Sequence, residues 1–427
     1  MTIAARSAPT TTPSFVPGFT GLACTACGTP APPGPRFVCD RCFGPLEATY
    51  DYARLADSLT REAIAARPRS LWRYAELLPL DELPADGLAV GYSPLVQAPR
   101  LAARLGLRRL WIKDDSRNPT LSFKDRNVAI AAARARQFGF DTLACASTGN
   151  LAASVAATAA VNGMRAVVLV PADLEPAKIA QAEALGARVA RIGGPYDVVN
   201  RLCLELTDEF EGWAVVNVNL RPYYSEGSKS VAFEVAEQLG WRAPDAVVAP
   251  IASGSLYTKL RRGFEELASV GLIEAQSTRH IGGQPAGCAP VADAFGTGSD
   301  EIRPVARPDT IVRSLAIGSP ADGQRALALA RDSSGSIEAV EDADTIAVIR
   351  LLAETEGILT ETAGGVTVAA LQSAIARGVV GGDDEVVAVI TGNGLKTLDA
   401  IVEGPAREVI ESSLDAFAAW ATKEGVS

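Results

Sequence analysis

The sequence predicts an α/β protein with two parallel-sheet domains, preceded by a small cysteine-rich module. From about Tyr92 onward, short apolar strands alternate with amphipathic helical stretches, a pattern typical of parallel sheets with helices on both faces. Nearer the N-terminus, four cysteines form two C-x-x-C pairs in a segment too poor in apolar residues to build its own core. The chain has 427 residues, 48% of them apolar, which is enough for more than one domain.

The first residues and the overall charge limit the partners we expect. Residues 1–20 are rich in Thr and Pro and lack the apolar centre of a secretory signal, so we interpret them as a flexible arm of a cytoplasmic protein. No stretch has the run of apolar residues needed to cross a bilayer, so we expect no membrane partner. The net charge of −10 argues against nucleic acid as a partner.

Residues 21–46 are predicted to form a zinc ribbon, and residues 47–427 the catalytic region. Four thiolates on two short turns suit the tetrahedral coordination of zinc, and the alternative is a pair of disulfides. Without an export signal, zinc is favoured. Four protein ligands leave no open position, so the metal is expected to be structural. The ligands are Cys24, Cys27, Cys39 and Cys42.

The strands and helices of the catalytic region follow from the apolar pattern. Strands are predicted at 109–115, 142–147, 165–171, 188–194, 213–219, 245–252, 280–285 and 385–392. Helices are predicted at 125–139, 150–163, 176–187, 229–240 and roughly 408–423. Ligands of such sheets bind beyond the carboxyl ends of the strands, so the loops found there are the candidate functional segments.

Composition also restricts the chemistry. The chain has one histidine, His280, which argues against a Ser/His/Asp relay and against a metal site of several histidines. Acid–base catalysis must therefore come from Lys, Asp, Glu, a hydroxyl group or a cofactor. Only seven lysines occur, so the position of each lysine is informative.

Lys124 is the candidate catalytic residue. A strand ends near Asp115 and a helix begins near Ser122, which places Lys124 in the first turn of that helix. A cation there opposes the helix dipole, and the apolar Phe123 beside it would help to keep the amine neutral and nucleophilic. The alternative is an ordinary exposed lysine at a helix start.

Three further strand-end segments carry small polar residues. Residues 147–150 could bind a carboxylate with hydroxyl groups and free amides, or could simply cap the next helix. Residues 253–255 could bind a phosphate in the same way. Thr391 ends a buried strand, where its hydroxyl could meet a pyridine nitrogen or have no function. Together with Lys124, these are the groups that an enzyme using pyridoxal phosphate must supply.

From about Gly91 to Lys396, the chain resembles the threonine synthases, which belong to the tryptophan-synthase-β-like enzymes of pyridoxal-phosphate fold type II. The resemblance rests on six motifs in the family order, namely GYSPL, NPTLSFKDR, STGN, EGSKS, AIGSP and TGNGLK. Leu121 stands where the family often has Gly. The resemblance implies the type II fold, with a small subdomain at roughly 121–229 and a large subdomain formed by the rest of the catalytic region. It also implies a homodimer.

By this resemblance, Lys124 would hold pyridoxal phosphate as a Schiff base. Asn150 would bond the phenolic oxygen of the cofactor, and Thr391 would face its ring nitrogen. The complete set of predicted cofactor contacts is Phe123, Asn150, Ser253, Gly254, Ser255 and Thr391. Ser147 and Thr148 would receive the carboxylate of the substrate.

The resemblance implies conversion of O-phospho-L-homoserine and water into L-threonine and phosphate. A dianionic substrate phosphate needs local cations, and we assign Lys113 and Arg126 to it, with Lys229 as a further candidate. The alternative for these cations is a structural ion pair with Asp114, Asp115 or Asp125. Other functions considered are a β-replacement enzyme acting on O-phosphoserine, such as a cysteate synthase, a dehydratase of Ser or Thr, and a catalytically silent binding protein.

Overall fold

The computed structural model describes residues 15–147, 149–172, 174, 176–194, 196–401 and 409–426. Most of the predicted arm lies outside these residues. The strands are β1 Phe19–Cys24, β2 Pro30–Ala31, β3 Leu46–Tyr50, β4 Leu95–Gln97, β5 Arg109–Asp114, β6 Thr142–Ala146, β7 Arg165–Pro171, β8 Arg188–Ile192, β9 Trp213–Val215, β10 Ala246–Pro250, β11 Arg279–Pro285, β12 Ser336–Val340 and β13 Glu385–Ile390.

The helices alternate with these strands throughout the larger part of the chain. They are α1 Tyr52–Ala56, α2 Arg61–Ala65, α3 Pro99–Leu105, α4 Lys124–Gln137, α5 Asn150–Val161, α6 Pro176–Ala184, α7 Tyr196–Glu209, α8 Arg221–Tyr224, α9 Ser230–Gln238, α10 Ser255–Ser269, α11 Pro290–Thr297, α12 Gly323–Asp332, α13 Asp342–Glu356, α14 Thr362–Ala376, α15 Leu398–Ile401 and α16 Leu414–Lys423. Within the described part of the chain, none of them has both the length and the apolar character of a membrane span.

The first three strands form a small antiparallel sheet in the order β2-β1-β3. The four clustered cysteines lie at or between these strands. This sheet packs on the rest of the protein through aromatic contacts, for example between the rings of Phe19 and Tyr223, whose centroids are 6.1 Å apart. The hydroxyl of Tyr223 also donates to the carbonyl of Gly34 at 3.0 Å.

Two larger sheets form the α/β body. The six-stranded sheet has the order β12-β11-β10-β13-β5-β4 and is parallel except for the edge strand β4. The four-stranded sheet has the order β8-β7-β6-β9 and is parallel throughout. Every residue of β10 and β13 is buried, because helices cover both faces of the sheet. The predicted α/β class with two parallel-sheet regions is confirmed.

Three neighbouring strands of the six-stranded sheet bring the candidate loops together. In β5 and β13, Asp114 pairs with Ile390, and in β10 and β13, Val248 pairs with Ala388. These strands are parallel, so their carboxyl ends meet at one edge of the sheet. The loops that carry Lys124, Thr391 and residues 253–255 all leave from that edge.

Candidate active site

The end of β13 is joined by backbone hydrogen bonds to two other segments. One segment precedes α4 and the other precedes α14. The bonds run from Phe123 N to Thr391 O (2.9 Å), from Asn393 N to Leu121 O (3.0 Å) and from Glu361 N to Gly392 O (3.0 Å). They fix the loop of Lys124 and the loop of Glu361 on either side of Thr391.

Lys124 begins α4, as the sequence predicts. Among the described residues, its amine makes no hydrogen bond, and it lies 4.6 Å from the centroid of the Phe123 ring. Burial lowers the pKa of Lys124 to about 8, while the nearby carboxyl of Glu361 opposes this shift. The lowered pKa increases the neutral fraction of this amine near neutral pH, and the neutral form is the nucleophile.

The turn before α4 contains a backbone conformation that few residues adopt. Leu121 has φ +63°, in the left-handed region, where a side chain normally costs about 1–2 kcal/mol. This explains why glycine suits the position in the family. The neighbouring Thr120 donates from its amide and its hydroxyl to Asp125, at 2.7 and 2.6 Å, and these bonds hold the turn in place.

The segment after β6 leads directly into α5. The hydroxyl oxygen of Ser147 accepts hydrogen bonds from the amides of Gly149 (3.1 Å) and Ala152 (3.0 Å), so it caps this helix. Its own proton remains available to a ligand. Asn150 is the first residue of α5, and its amide donates to Glu361 Oε2 at 2.8 Å. Thr148 lies outside the described residues.

Residues 253–255 form the turn between β10 and α10. Gly254 has φ +95°, and a side chain there would meet Asp322 at 3.0 Å, so the turn requires glycine. Asp322 supports the turn by donating its amide to Ser253 O at 2.8 Å. Ser255 begins α10, a helix of 15 residues, whose first amides have no partner within the helix.

Glu361 is a site residue that the sequence analysis missed. Its carboxyl lies between three of the predicted groups, because it contacts Asn150, is 3.3 Å from the hydroxyl oxygen of Thr391, and interacts electrostatically with Lys124. It is only 3% exposed, and burial raises its pKa. Lys396 also interacts with this carboxyl, and its amine donates to Gln181 Oε1 at 2.9 Å.

The charges of Lys113 and Arg126 are committed to buried ion pairs, so we no longer assign these residues to a substrate phosphate. Both side chains are fully buried and bonded to Glu234 of α9, Lys113 at 2.6 Å and Arg126 at 2.5 Å. Arg126 also pairs with Asp115 at 2.7 Å. The ion-pair alternative is therefore the better description, although Glu234 was not among the expected partners. The same carboxylate accepts the amides of Tyr92 and Ser93 and so anchors the GYSPL motif.

Lys229 is also committed to a buried ion-pair cluster. Its amine lies 2.6 Å from Glu226 and 2.8 Å from Glu266, and 3.9 Å from the centroid of the Tyr50 ring. The cluster extends further, because Glu226 also pairs with Lys259 at 2.7 Å and Glu266 with Arg262 at 2.9 Å. Lys229 is therefore a structural residue of the body.

The four predicted metal ligands lie together in the N-terminal sheet. Their sulfur atoms are all within 4.8 Å of one another, and Cys24 and Cys42 are 3.4 Å apart. These separations exclude disulfides, in which the sulfurs are about 2.05 Å apart. Four thiolates around a tetrahedral zinc would be about 3.8 Å apart, given Zn–S bonds of about 2.3 Å. The cluster could therefore hold a metal ion.

Comparison with known proteins identifies the family of this chain. A family model described as pyridoxal-phosphate dependent enzyme matches residues 87–392. Threonine synthases from Methanocaldococcus jannaschii and Methanosarcina acetivorans are each 34% identical to this chain, the first over 86% of this chain and 90% of the relative, the second over 89% and 93%. The chain belongs to the threonine synthase family. It is therefore a pyridoxal-phosphate-dependent lyase.

Solved structures agree on the fold of this family. The processed form of threonine deaminase isoform 2 from Solanum lycopersicum has a TM-score of 0.58 at 20% identity, with 78% of this chain and 84% of that chain covered. Maize serine racemase has a TM-score of 0.58 at 18% identity, with coverage of 78% and 92%. At these identities the likeness concerns the fold alone, and it confirms the type II architecture.

The residues present fit the cofactor that the family implies. An aldehyde requires an accessible neutral amine, which Lys124 offers at a lowered pKa. A phosphate requires free amides and hydroxyls, which the start of α10 offers around Gly254. A pyridine ring requires a polar partner for its nitrogen, and Thr391 presents a hydroxyl at the same edge of the sheet.

Proposed function

We propose that this enzyme is a threonine synthase, which converts O-phospho-L-homoserine and water into L-threonine and phosphate. The observation that carries the proposal is the position of Lys124. Lys124 is the first residue of a helix at the carboxyl edge of the sheet. Its amine makes no hydrogen bond to another described residue and has a pKa of about 8. The similarity to threonine synthases over most of the chain supports the choice of substrate.

The cofactor-binding residues remain those of the sequence prediction. We assign Lys124 to the aldehyde of pyridoxal phosphate, Asn150 to its phenolic oxygen and Thr391 to its ring nitrogen. Phe123 packs beside the amine of Lys124 and is assigned to the ring. The phosphate is assigned to the turn formed by residues 253–255. The hydrogen-bond donors and acceptors of these side chains suit the cofactor groups to which they are assigned.

The bound cofactor supplies an electron sink that stabilises negative charge on the amino-acid substrate. The protein must supply the proton transfers, because phosphate leaves from Cγ, water adds at Cβ, and protons are removed from and returned to carbon. We assign these transfers to Lys124. A base with a pKa near 8 can both accept and return protons close to neutral pH.

Substrate recognition requires an anion site for each end of the molecule. We assign the carboxylate to the hydroxyl proton of Ser147 and to Thr148, at the start of α5. With Lys113 and Arg126 committed elsewhere, we assign the substrate phosphate to Lys396. Lys396 is half-buried, and burial lowers its pKa while Glu361 and Asp125 act in the opposite direction. A phosphate would stabilise its charged form.

The cysteine cluster is proposed to bind zinc. Four sulfur ligands and no nitrogen or oxygen ligand favour zinc over harder cations, and a closed set of four favours a structural role. Cys24 and Cys39 are buried, whereas Cys27 and Cys42 are exposed. The metal would join the two turns of the small sheet.

The test of the proposed activity uses O-phospho-L-homoserine as substrate and compares the wild type with two lysine variants. The purified enzyme should carry a visible absorption band of bound cofactor and release phosphate from O-phospho-L-homoserine with formation of threonine. Lys124→Ala should lose the covalent band and at least a thousandfold of the activity, since a general base alone contributes about 10²–10⁴-fold. Lys423→Ala, in the exposed helix α16, should retain both.

The same assay discriminates against the other functions. Turnover that requires O-phosphoserine and sulfite would replace threonine synthase by the β-replacement reaction. Deamination of Ser or Thr would indicate the dehydratase. A protein that takes up no cofactor would be a silent relative.

A further inference from the structure

Asp322 packs against the turn that is assigned to the cofactor phosphate, which consists of residues 253–255. Its amide donates to Ser253 O at 2.8 Å, and a Cβ atom on Gly254 would lie 3.0 Å from both the Cβ atom and the carbonyl oxygen of Asp322. Asp322 is only 3% exposed. Its backbone therefore forms one side of the turn, and a shift of Asp322 would move the turn with it.

Two arginines hold the side chain of Asp322. Arg221, in α8, donates to its Oδ2 at 2.9 Å, and Arg325, three residues later in α12, donates to its Oδ1. A buried carboxylate is stabilised when charged donors satisfy both of its oxygens. The position of Asp322, and with it that of the turn, therefore depends on where these two arginines are held.

The guanidinium of Arg325 also binds the small N-terminal sheet. Its Nη1 donates to Oε1 of Glu47 in β3, whereas its Nη2 donates to Asp322. Burial acts to raise the pKa of Glu47, but the charges of Lys259 and Arg325 outweigh it and lower this pKa to about 2. Lys259 lies 3.3 Å from Glu47 but only 2.7 Å from Glu226. The ionised Glu47 therefore holds Arg325, while Lys259 has a closer partner of its own.

Glu47 lies beside the predicted metal ligands. In the pairing of β1 with β3, Glu47 is opposite Ala23, and the preceding Leu46 is opposite Cys24. The turn that carries Cys42 leads into the same strand β3. A metal ion bound by both cysteines would fix β1 and the start of β3 relative to each other. It would thereby also fix the position of Glu47.

We propose that Asp322 and Arg325 are positioning residues for the phosphate of the bound cofactor, and that they make the affinity for the cofactor depend on the metal in the cysteine cluster. The inference rests on the proposed function, because it uses the assignments of the phosphate to residues 253–255 and of zinc to the four cysteines. The path runs from the cluster to Glu47, through the guanidinium of Arg325, to Asp322 and the turn. Both positioning residues act on the cofactor through that turn.

This path makes the two binding events reciprocal. If the metal increases the affinity for the cofactor by some factor, the cofactor must increase the affinity for the metal by the same factor. Saturation with pyridoxal phosphate should therefore slow the loss of zinc to a chelator. A small sheet that only covered the body would give no such effect.

The experiment measures the affinity of the full-length enzyme for pyridoxal phosphate by equilibrium dialysis, with the visible band of the bound cofactor as the signal. Arg325→Met keeps the length of the side chain and removes its charge. We expect the dissociation constant to rise about tenfold, within the range of coupling energies between contacting residues. The ³¹P chemical shift of the bound cofactor should also change, because the donors around its phosphate move. A loss of stability elsewhere in the protein would not change that shift.

Glu47→Gln tests whether the effect reaches the small N-terminal sheet. It should raise the dissociation constant in the wild-type background but have little further effect in Arg325→Met, because both changes interrupt the same path. Removal of zinc with a chelator should behave in the same way. The control is Arg331→Met, the same substitution in the same helix, at an arginine that pairs with the exposed Asp300. It should keep the wild-type dissociation constant and ³¹P shift.

The possible failures are distinguishable. Wild-type affinity and ³¹P shift in Arg325→Met would overturn the proposal, and so would effects of Arg325→Met and Glu47→Gln that simply add. If Arg325→Met does not fold, an unchanged dissociation constant both in Glu47→Gln and after zinc removal would overturn it. Failure of the wild-type enzyme to bind the cofactor through Lys124 would instead overturn the proposed function. A wild-type protein without zinc would overturn the metal assignment, and the variants would still decide the role of Arg325.

Discussion

Lys396 provides a test of substrate recognition at the scale of one residue. Lys396→Met retains the length of the side chain and removes its charge. We expect KM for O-phospho-L-homoserine to rise by about 10–100-fold, because a hydrogen bond to a charged group contributes about 1.5–3 kcal/mol. The cofactor absorption band should be unchanged. Steady-state kinetics and the absorption spectrum check both expectations.

The control for Lys396→Met is Lys423→Met in α16, which should keep the wild-type KM. A Lys396→Met enzyme with unaltered KM and lowered kcat would show that the residue acts on the chemical step, and the substrate phosphate would need another cation.

The site residues differ in how well their positions could be predicted from the sequence. Lys124 could be predicted because its position is set locally, by a strand end and a helix start that are close in sequence. Glu361 could not be predicted as a site residue, because acidic residues are common at helix starts, where they interact favourably with the helix dipole. Its partner Asn150 is 211 positions away in the chain. Lys113 did carry a usable signal, since a lysine within a buried strand requires a buried acid.

At the scale of one element, the small N-terminal sheet is expected to depend on its metal. The wild-type protein should contain one zinc per chain, and Cys24→Ser/Cys27→Ser should contain none, because two remaining thiolates cannot complete a tetrahedral site. Cys203→Ala, at a buried cysteine outside the cluster, should retain the metal. Elemental analysis of the purified proteins gives the answer. Full zinc content in the double variant would remove these residues from the ligand set.

The elements that the sequence predicted well share a clear apolar pattern. The strands β5, β6, β7, β10 and β13 lie within two residues of their expected limits, as do the starts of α4 and α5. The pattern failed for β12, which contains a glutamate, and for α14, which is buried nearly all round and lacks a helical period. Burial on all sides removes the alternation on which such predictions depend.

At the scale of the whole molecule, buried ion pairs predict how stability depends on pH. Burial acts to raise the pKa of Glu234, but the guanidinium of Arg126 and the amine of Lys113 outweigh it and hold this pKa at about 2. Its folded pKa is below its unfolded value, so its contribution is complete above about pH 4.5 and is lost as the pH falls toward 2. This amounts to about 3 kcal/mol in the free energy of unfolding.

Urea unfolding at about pH 7 and about pH 2.5 measures this dependence. Carboxyls with raised pKa values, such as that of Asp125, act in the opposite direction. The comparison that isolates the effect is therefore wild type against Glu234→Gln. The variant should be less stable at neutral pH and should lose less stability in acid. Parallel pH profiles of the two proteins would contradict the assignment.

Several whole-molecule expectations remain predictions. The homodimer and the cytoplasmic location remain expectations of the sequence analysis. The domain limits at residues 21, 46, 121 and 229 also remain predictions, although the cysteine-bearing sheet runs from Phe19 to Tyr50. The composition and the apolar pattern of the sequence predict which helices and strands form the layers of the fold. They do not predict which surface of the protein would contact a second chain.

The backbone bonds between the end of β13 and the two flanking loops have a consequence for biosynthesis. Lys124 leaves the ribosome long before the segments that contain Glu361 and Thr391, which lie more than two hundred residues later. The proposed vitamin-binding pocket of the nascent protein therefore lacks Glu361 and Thr391 until these later segments have been synthesised. Pairing across such sequence distances is slow, so loading of the vitamin should be among the final events of maturation.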